Sequence, residues 1–199
     1  MSKFFHIKFT FVHNIWKLLQ PFGKEQQREP FTEYMVRIRN DKRFDHIPSE
    51  VFEQWIYPHH GNEYTCRNYG WLDYRFVLIE RQSWSTDQLM GIHIFSEYRL
   101  SFTGRDWPLK EISALEEDEE WWKKNGTWRV PPIIIDVNKF MMDAPQSAEL
   151  TGPFQLVEGH TRYRNFRILM SNNEFVAPSH EVFVITTNNS DQSNQCKGY

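Results

Sequence analysis

Apolar residues recur along the chain in two rhythms, one helical and one extended, and the switches between them mark out the elements. In "SEVFEQWIY", residues 49–57, Val51, Phe52, Trp55 and Ile56 share one face at helical spacing, with Ser49 placed as N-cap and Pro58 just past the end. "YRFVLIERQSW" (74–84) and "LMGIHIFSEYRLSF" (89–102) alternate or run apolar around the polar break Ser85-Thr86-Asp87, which predicts a hairpin or two neighbouring strands. "EISALEEDEEWWKKNG" (111–126) is acidic first and basic last, the order that a helix dipole favours, and Asn125-Gly126 stops it. Its acidic run, 116–120, reads as a solvated face. "WRVPPIIIDV" (128–137) is nearly continuous in apolar residues, the mark of a strand buried on both faces. "GPFQLVEGHTRYRNFRIL" (152–169) predicts a buried strand that runs straight into a helix, and "HEVFVITT" (180–187) predicts a last strand before a frayed polar tail.

Helices and strands thus mix along the chain, and the expected class is α+β, with α/β character in both halves. Gly104 and Pro108, in "SFTGRDWPLK", are the natural joint. They divide an N-terminal α/β region, residues 1–103, from a second domain, 104–187, and a tail, 188–199. The N-terminal stretch places Phe4, Phe5, Phe11, Val12, Ile15, Trp16 and Leu19 on one helical face, which suits packing on the protein's own core better than docking on a membrane. Lys8, His6, His13 and Asn14 interrupt it, so neither a signal peptide nor a transmembrane segment is expected.

Composition narrows the class. The 199 residues are 40% hydrophobic and 16% aromatic, a globular balance, and the formal net charge of −3 gives no global attraction to nucleic acid. Two cysteines, Cys66 and Cys196, make no disulfide framework and fit a cytoplasmic location. His59, His60, Glu63 and Cys66 cluster in sequence, but adjacent histidines point apart and the spacing is not that of a zinc site. The aromatic density of residues 55–107, with Trp71, Trp84 and Trp107, reads as core before it reads as a base-stacking surface.

The chemistry concentrates at the strand-to-helix joint Glu158-Gly159-His160-Thr161-Arg162. A helix start carries unpaired N–H groups and partial positive charge, and Gly159 lets the backbone turn and a ligand approach. Thr161 adds a hydroxyl, and Arg162 a fork suited to phosphate oxygens. Glu158 is placed to hold Mg or act as a base, His160 to do acid–base work, and Asp136, ending the "PPIIID" strand, to face the same space. Arg129 and Arg164 are candidate contacts to phosphate or nucleic acid. On the residues alone, a plain helix cap and an anion site both remain open.

Taken in order, Val130-Pro131-Pro132-Ile133 and then Gly159-His160-Thr161-Arg162-Tyr163 resemble the ParB/sulfiredoxin superfamily over about residues 110–187. The resemblance implies a nucleotide site, with ATP or CTP phosphates on the helix start at Gly159 to Arg162 and Arg162 as the arginine that grips phosphate. His160 stands where sulfiredoxins keep their catalytic cysteine, which argues against sulfinic acid reduction. No helix-turn-helix module follows the last strand, which argues against ParB-type centromere binding. The expected function is NTP hydrolysis, ATP favoured, or ATP-dependent DNA cleavage as in short fertility-inhibition members of the superfamily. The alternatives are a non-enzymatic nucleotide-gated interaction module that docks a protein partner through residues 1–103, and a kinase for a free serine-like amino acid.

Overall fold

The computed structural model describes residues 15–23, 27–95, 116–140 and 144–187. The expected joint at 101–110, the start of the acidic helix, Trp107, most of the N-terminal stripe, and the tail lie outside them. The fold is α+β, and the chain divides into two compact units. One gathers residues 1–79, 139–150 and 186–199, and the other 80–138 and 151–185.

The first unit is helical and aromatic. Ile15, Trp16 and Leu19, the described part of the N-terminal stripe, are buried in its core. Helix α1 (Phe31–Asn40) buries Tyr34 and Ile38, and the Tyr34 hydroxyl donates to Leu19 O at 2.9 Å. The run read from "SEVFEQWIY" is helical but extends to His59 as three pieces, α-helical Ser49–Val51, a π turn Phe52–Ile56, and α-helical Tyr57–His59. Pro58 therefore lies inside the run and not after it. Proline lacks an N–H and its ring collides with the carbonyl four residues back, and the wider i→i+5 turn ahead of it relieves that conflict. Pro48, not Ser49, occupies the N-cap, and the Ser49 hydroxyl accepts from Arg39 Nη2 at 2.9 Å. Val51, Phe52, Trp55 and Ile56 are all buried, as their spacing requires. Helix α2 (Glu63–Tyr69) follows, capped by the Asn62 side chain on Thr65 N at 3.0 Å. The returning segment 139–150 fastens to it: Glu149 N donates to Asn68 Oδ1 at 2.7 Å, and the Glu149 carboxylate pairs with Arg67 at 3.0 Å.

The sheet has four strands in the order β1 (Val77–Ser85), β4 (Ser179–Thr187), β2 (Ile133–Asp136), β3 (Phe154–Glu158). Strand β2 runs parallel to β4 and antiparallel to β3. Its Ile133, Ile134 and Ile135 are wholly buried, which is why this strand reads as an unbroken apolar run. The described part of the expected partner of β1, residues 89–95, is not a strand, and residues 96–102 lie outside the described ones. Ser85-Thr86-Asp87 opens a short helix, α3 (Thr86–Met90), through a capping box in which the Ser85 hydroxyl takes Gln88 N and the Gln88 side chain takes Ser85 N. His93 then makes a single parallel bridge to Gln155. Helix α4 (Glu116–Asn125) ends where expected, at Gly126 with φ +63°. A Cβ there would lie 2.7 Å from Ala177 N, so the stop is also a close approach of two backbones.

Helix α5 (His160–Ser171) seats Tyr163, Phe166 and Leu169 in the second unit's core against Ile134, Leu156, Val182 and Val184. Trp84, Leu89, Ile92, Trp122 and Trp128 complete the cluster. The Tyr163 hydroxyl donates to Leu89 O at 2.8 Å. The helix start is thereby held at the end of β3. Among the described residues, no helix is long and apolar enough to cross a membrane.

Candidate functional site

Gly159 joins β3 to α5 with φ +96°, ψ 27°, a left-handed conformation that L side chains rarely adopt. A Cβ there would lie 2.7 Å from Pro132 Cβ and 2.9 Å from Arg162 Nη2. The β2–β3 register explains the first contact: Ile133 pairs with Glu158, so the Pro131-Pro132 end of β2 continues past Glu158 to Gly159. The two sequence patterns that looked separate, Val130-Pro131-Pro132-Ile133 and Gly159–Tyr163, thus meet in one place.

Tyr163 N donates to Gly159 O at 2.9 Å, the first intrahelical bond of α5. The N–H groups of His160, Thr161 and Arg162 precede it in the first turn, where no carbonyl of the helix reaches them. Thr161 is exposed, and His160 and Arg162 are half-buried. The Arg162 guanidinium folds back over Gly159, with Nη2 3.9 Å from Glu158 Oε1. Burial draws its pKa below the ordinary arginine value, while the charges of Glu158 and then Asp118 pull the other way. Asp118, read from the sequence only as part of a solvated face, therefore belongs to the electrostatics of the joint. Asp118 also pairs with Arg129, whose Nε lies 3.0 Å from Asp118 Oδ1 and whose Nη1 lies 3.6 Å from Glu117 Oε2.

Two of the expected site residues stand elsewhere or are already occupied. Asp136 pairs in register with Phe154, at the opposite end of the β2–β3 ladder from the Ile133–Glu158 pair. Three residues of strand, about 10 Å, separate it from the joint. Its Oδ1 accepts from Asn138 N at 3.2 Å, so it turns the chain and does not face the site. Arg129, exposed, is paired to the α4 carboxylates. Arg164 lies half-buried one turn beyond His160 on α5.

The joint thus combines a helix start, one guanidinium over a glycine, and flanking carboxylates. Such an arrangement suits an anion that displaces the arginine from its carboxylates, because a phosphate offers the fork more charge than a single carboxylate does. Among the described residues, no three His, Cys, Asp or Glu side chains converge as metal ligands. His60 and Cys66 are committed to structure: the His60 ring stacks on Trp16 at 4.4 Å and meets Trp16 O at 2.7 Å, and Cys66 Sγ lies 3.0 Å from His60 O.

The second unit also holds a buried polar pair that the sequence pattern does not announce. His180 Nδ1 lies 2.8 Å from Thr127 Oγ1, with the imidazole packed near Trp128 and Phe166 at ring distances of 5.1 and 5.2 Å. Burial pushes its pKa down to about 4, against a weaker opposing effect of the Ala177 backbone, so the ring is neutral at pH 7. Only the histidine opening "HEVFVITT" pointed to it. Compared with known proteins, the chain matches no family model, no curated protein and no solved structure.

Proposed function

We propose that the protein is a ParB/sulfiredoxin-like nucleotide-binding protein that takes the phosphates of ATP or CTP at the start of α5. The observation that carries this reading is the left-handed Gly159, wedged against Pro132, from which the first turn of α5 and Arg162 extend. Phosphate would lie on the N–H groups of His160, Thr161 and Arg162, with the Arg162 side chain swung away from Glu158 onto its oxygens. Magnesium would rest on Glu158 and the nucleotide's own oxygens, since this ion commonly takes only one or two protein carboxylates. For NTP hydrolysis, or for DNA cleavage driven by it, Glu158 and His160 would supply the base and the acid.

A second reading, a nucleotide-gated interaction module without turnover, is favoured by two findings. Asp136 is removed from the joint and Arg129 is bound to carboxylates, which leaves few groups for chemistry.

The test is thermal melting with ATP, CTP and GTP, each with magnesium, on the native chain and on Arg162→Ala, followed by phosphate release. A concentration-dependent rise in Tm with one nucleotide, lost in the variant, supports the site and names the base. Phosphate release then separates an enzyme from a gate. No rise with any nucleotide would leave Gly159 as a helix joint alone and overturn both readings.

A further inference from the structure

The first unit carries a cleft that is independent of the joint. It has a volume of about 810 Å³ and is lined by Gln20, Gln27, Arg28, His59 and Asn62, with Pro21 and Pro58 among its apolar parts. That volume, open on one side to solvent, is large enough to seat a small organic molecule. Among the described residues, no carboxylate lines it and none forms an ion pair with Arg28. A guanidinium that no carboxylate pairs is open to an anion.

Arg28 is also held ready. Its Nη1 donates to Tyr57 O at 3.0 Å and to Pro58 O at 3.3 Å, which caps the last carbonyls of the helical run, and its guanidinium lies 5.4 Å from the centre of the Tyr57 ring. One edge of the fork is thereby fixed to protein, and Nε and Nη2 remain for a planar acceptor. The side-chain amides of Gln20, Gln27 and Asn62 add polar groups around it. Behind them, His60 is locked against Trp16 by stacking and by its bond to Trp16 O, which gives the wall a rigid support.

We propose that this cleft binds a small organic anion, carboxylate or phosphate, with Arg28 as the residue that recognises its charge. The volume exceeds what a bare ion fills, so an organic body accompanies the charged group.

The experiment is a titration of the ¹⁵N-labelled full chain, followed by NMR, with ribose 5-phosphate, glutarate, inorganic phosphate and, as a neutral control, ribose. Saturable shifts are expected in the amides of residues 20, 22, 23, 27–29, 57 and 59–62, with ribose silent. Ribose 5-phosphate against glutarate tells which charged group is preferred, and inorganic phosphate tells what the organic body adds. Arg28→Gln should weaken binding at least about tenfold. Because that change also removes the cap on Tyr57 O and Pro58 O, a second variant, Gly61→Trp, blocks the cleft instead. Gly61 lines the cleft and a Cβ on it meets no atom within 4 Å, so the substitution adds bulk at the cleft wall without a clash at Cβ, and binding should be lost in a folded protein. Absence of saturable shifts at these amides with either organic anion, an equal response to ribose, or unchanged binding in Gly61→Trp would overturn the proposal.

Discussion

Acidification should destabilise this protein through its buried histidines, His180 above all, before its carboxylates protonate. The imidazole is 2% exposed and burial holds its pKa at about 4, against an ordinary 6.5. The folded pKa is thus below the unfolded one, so the unfolded chain takes up the proton first as pH falls. Stability from this group is complete above about pH 7.5, declines as pH falls through 6.5, and reaches its floor near pH 4, where both states are protonated. Each unit of difference is worth about 1.4 kcal/mol, so the full loss is on the order of 3 kcal/mol, of which about 2 kcal/mol falls between pH 6.5 and 5. That upper window isolates the effect, because Glu29 and Asp41, whose pKa values lie below the ordinary carboxylate range, stay ionised there. The assay is equilibrium urea unfolding of the native chain and of His180→Asn at pH values across that window. Asparagine keeps an acceptor for the Thr127 hydroxyl but does not titrate. His60, also held below its ordinary value, acts in the same direction in both proteins and cancels in the difference. The variant should be less stable at pH 7.5 yet lose about 2 kcal/mol less on going to pH 5. Parallel curves, or an NMR titration of His180 with a midpoint near 6.5, would refute the reasoning.

Three further outcomes are expected. Gly159→Ala should cost about 1–3 kcal/mol of stability in thermal melting, from the left-handed conformation and the Cβ pressed against Pro132. Tyr163→Phe should cost about 1–2 kcal/mol in denaturant unfolding, because Leu89 O loses its buried donor at 2.8 Å. Asp118→Asn removes a charge that competes for Arg162, so it should tighten nucleotide binding several-fold in a binding titration, and the gain should shrink at high salt.

Much of the second unit was legible in the sequence. Strands β2, β3 and β4 and helix α5 stand close to where the apolar rhythm put them, because a strand buried on both faces and a glycine before a helix leave clear local marks. The helix at 86–90 was hidden because its capping box lies in the same polar break that a hairpin turn would use. Pro58 misled because only a change of helical pitch, invisible in composition, lets a proline continue the run. The joint itself was readable, but its neighbours were not. Strand ends cannot be assigned to one end of a sheet without the register, which is why Asp136 was placed beside Glu158 when it stands three residues away. Asp118 joins the site from another helix, a relation that no local spacing encodes.

The excursion of residues 139–150 into the first unit has a practical cost for anyone cutting the gene. Because β2 and β3 are joined through that excursion, and because β4 lies between β1 and β2, a fragment of residues 104–187 would carry a polypeptide loop stripped of its anchor and a sheet without β1. Strand β4, with Val182, Phe183, Val184 and Ile185, would then present a bare, strongly apolar edge, and such edges recruit one another. Dissection at the glycine–proline joint should therefore yield insoluble product, whereas interrogation of either unit by point substitution in the intact chain avoids that outcome.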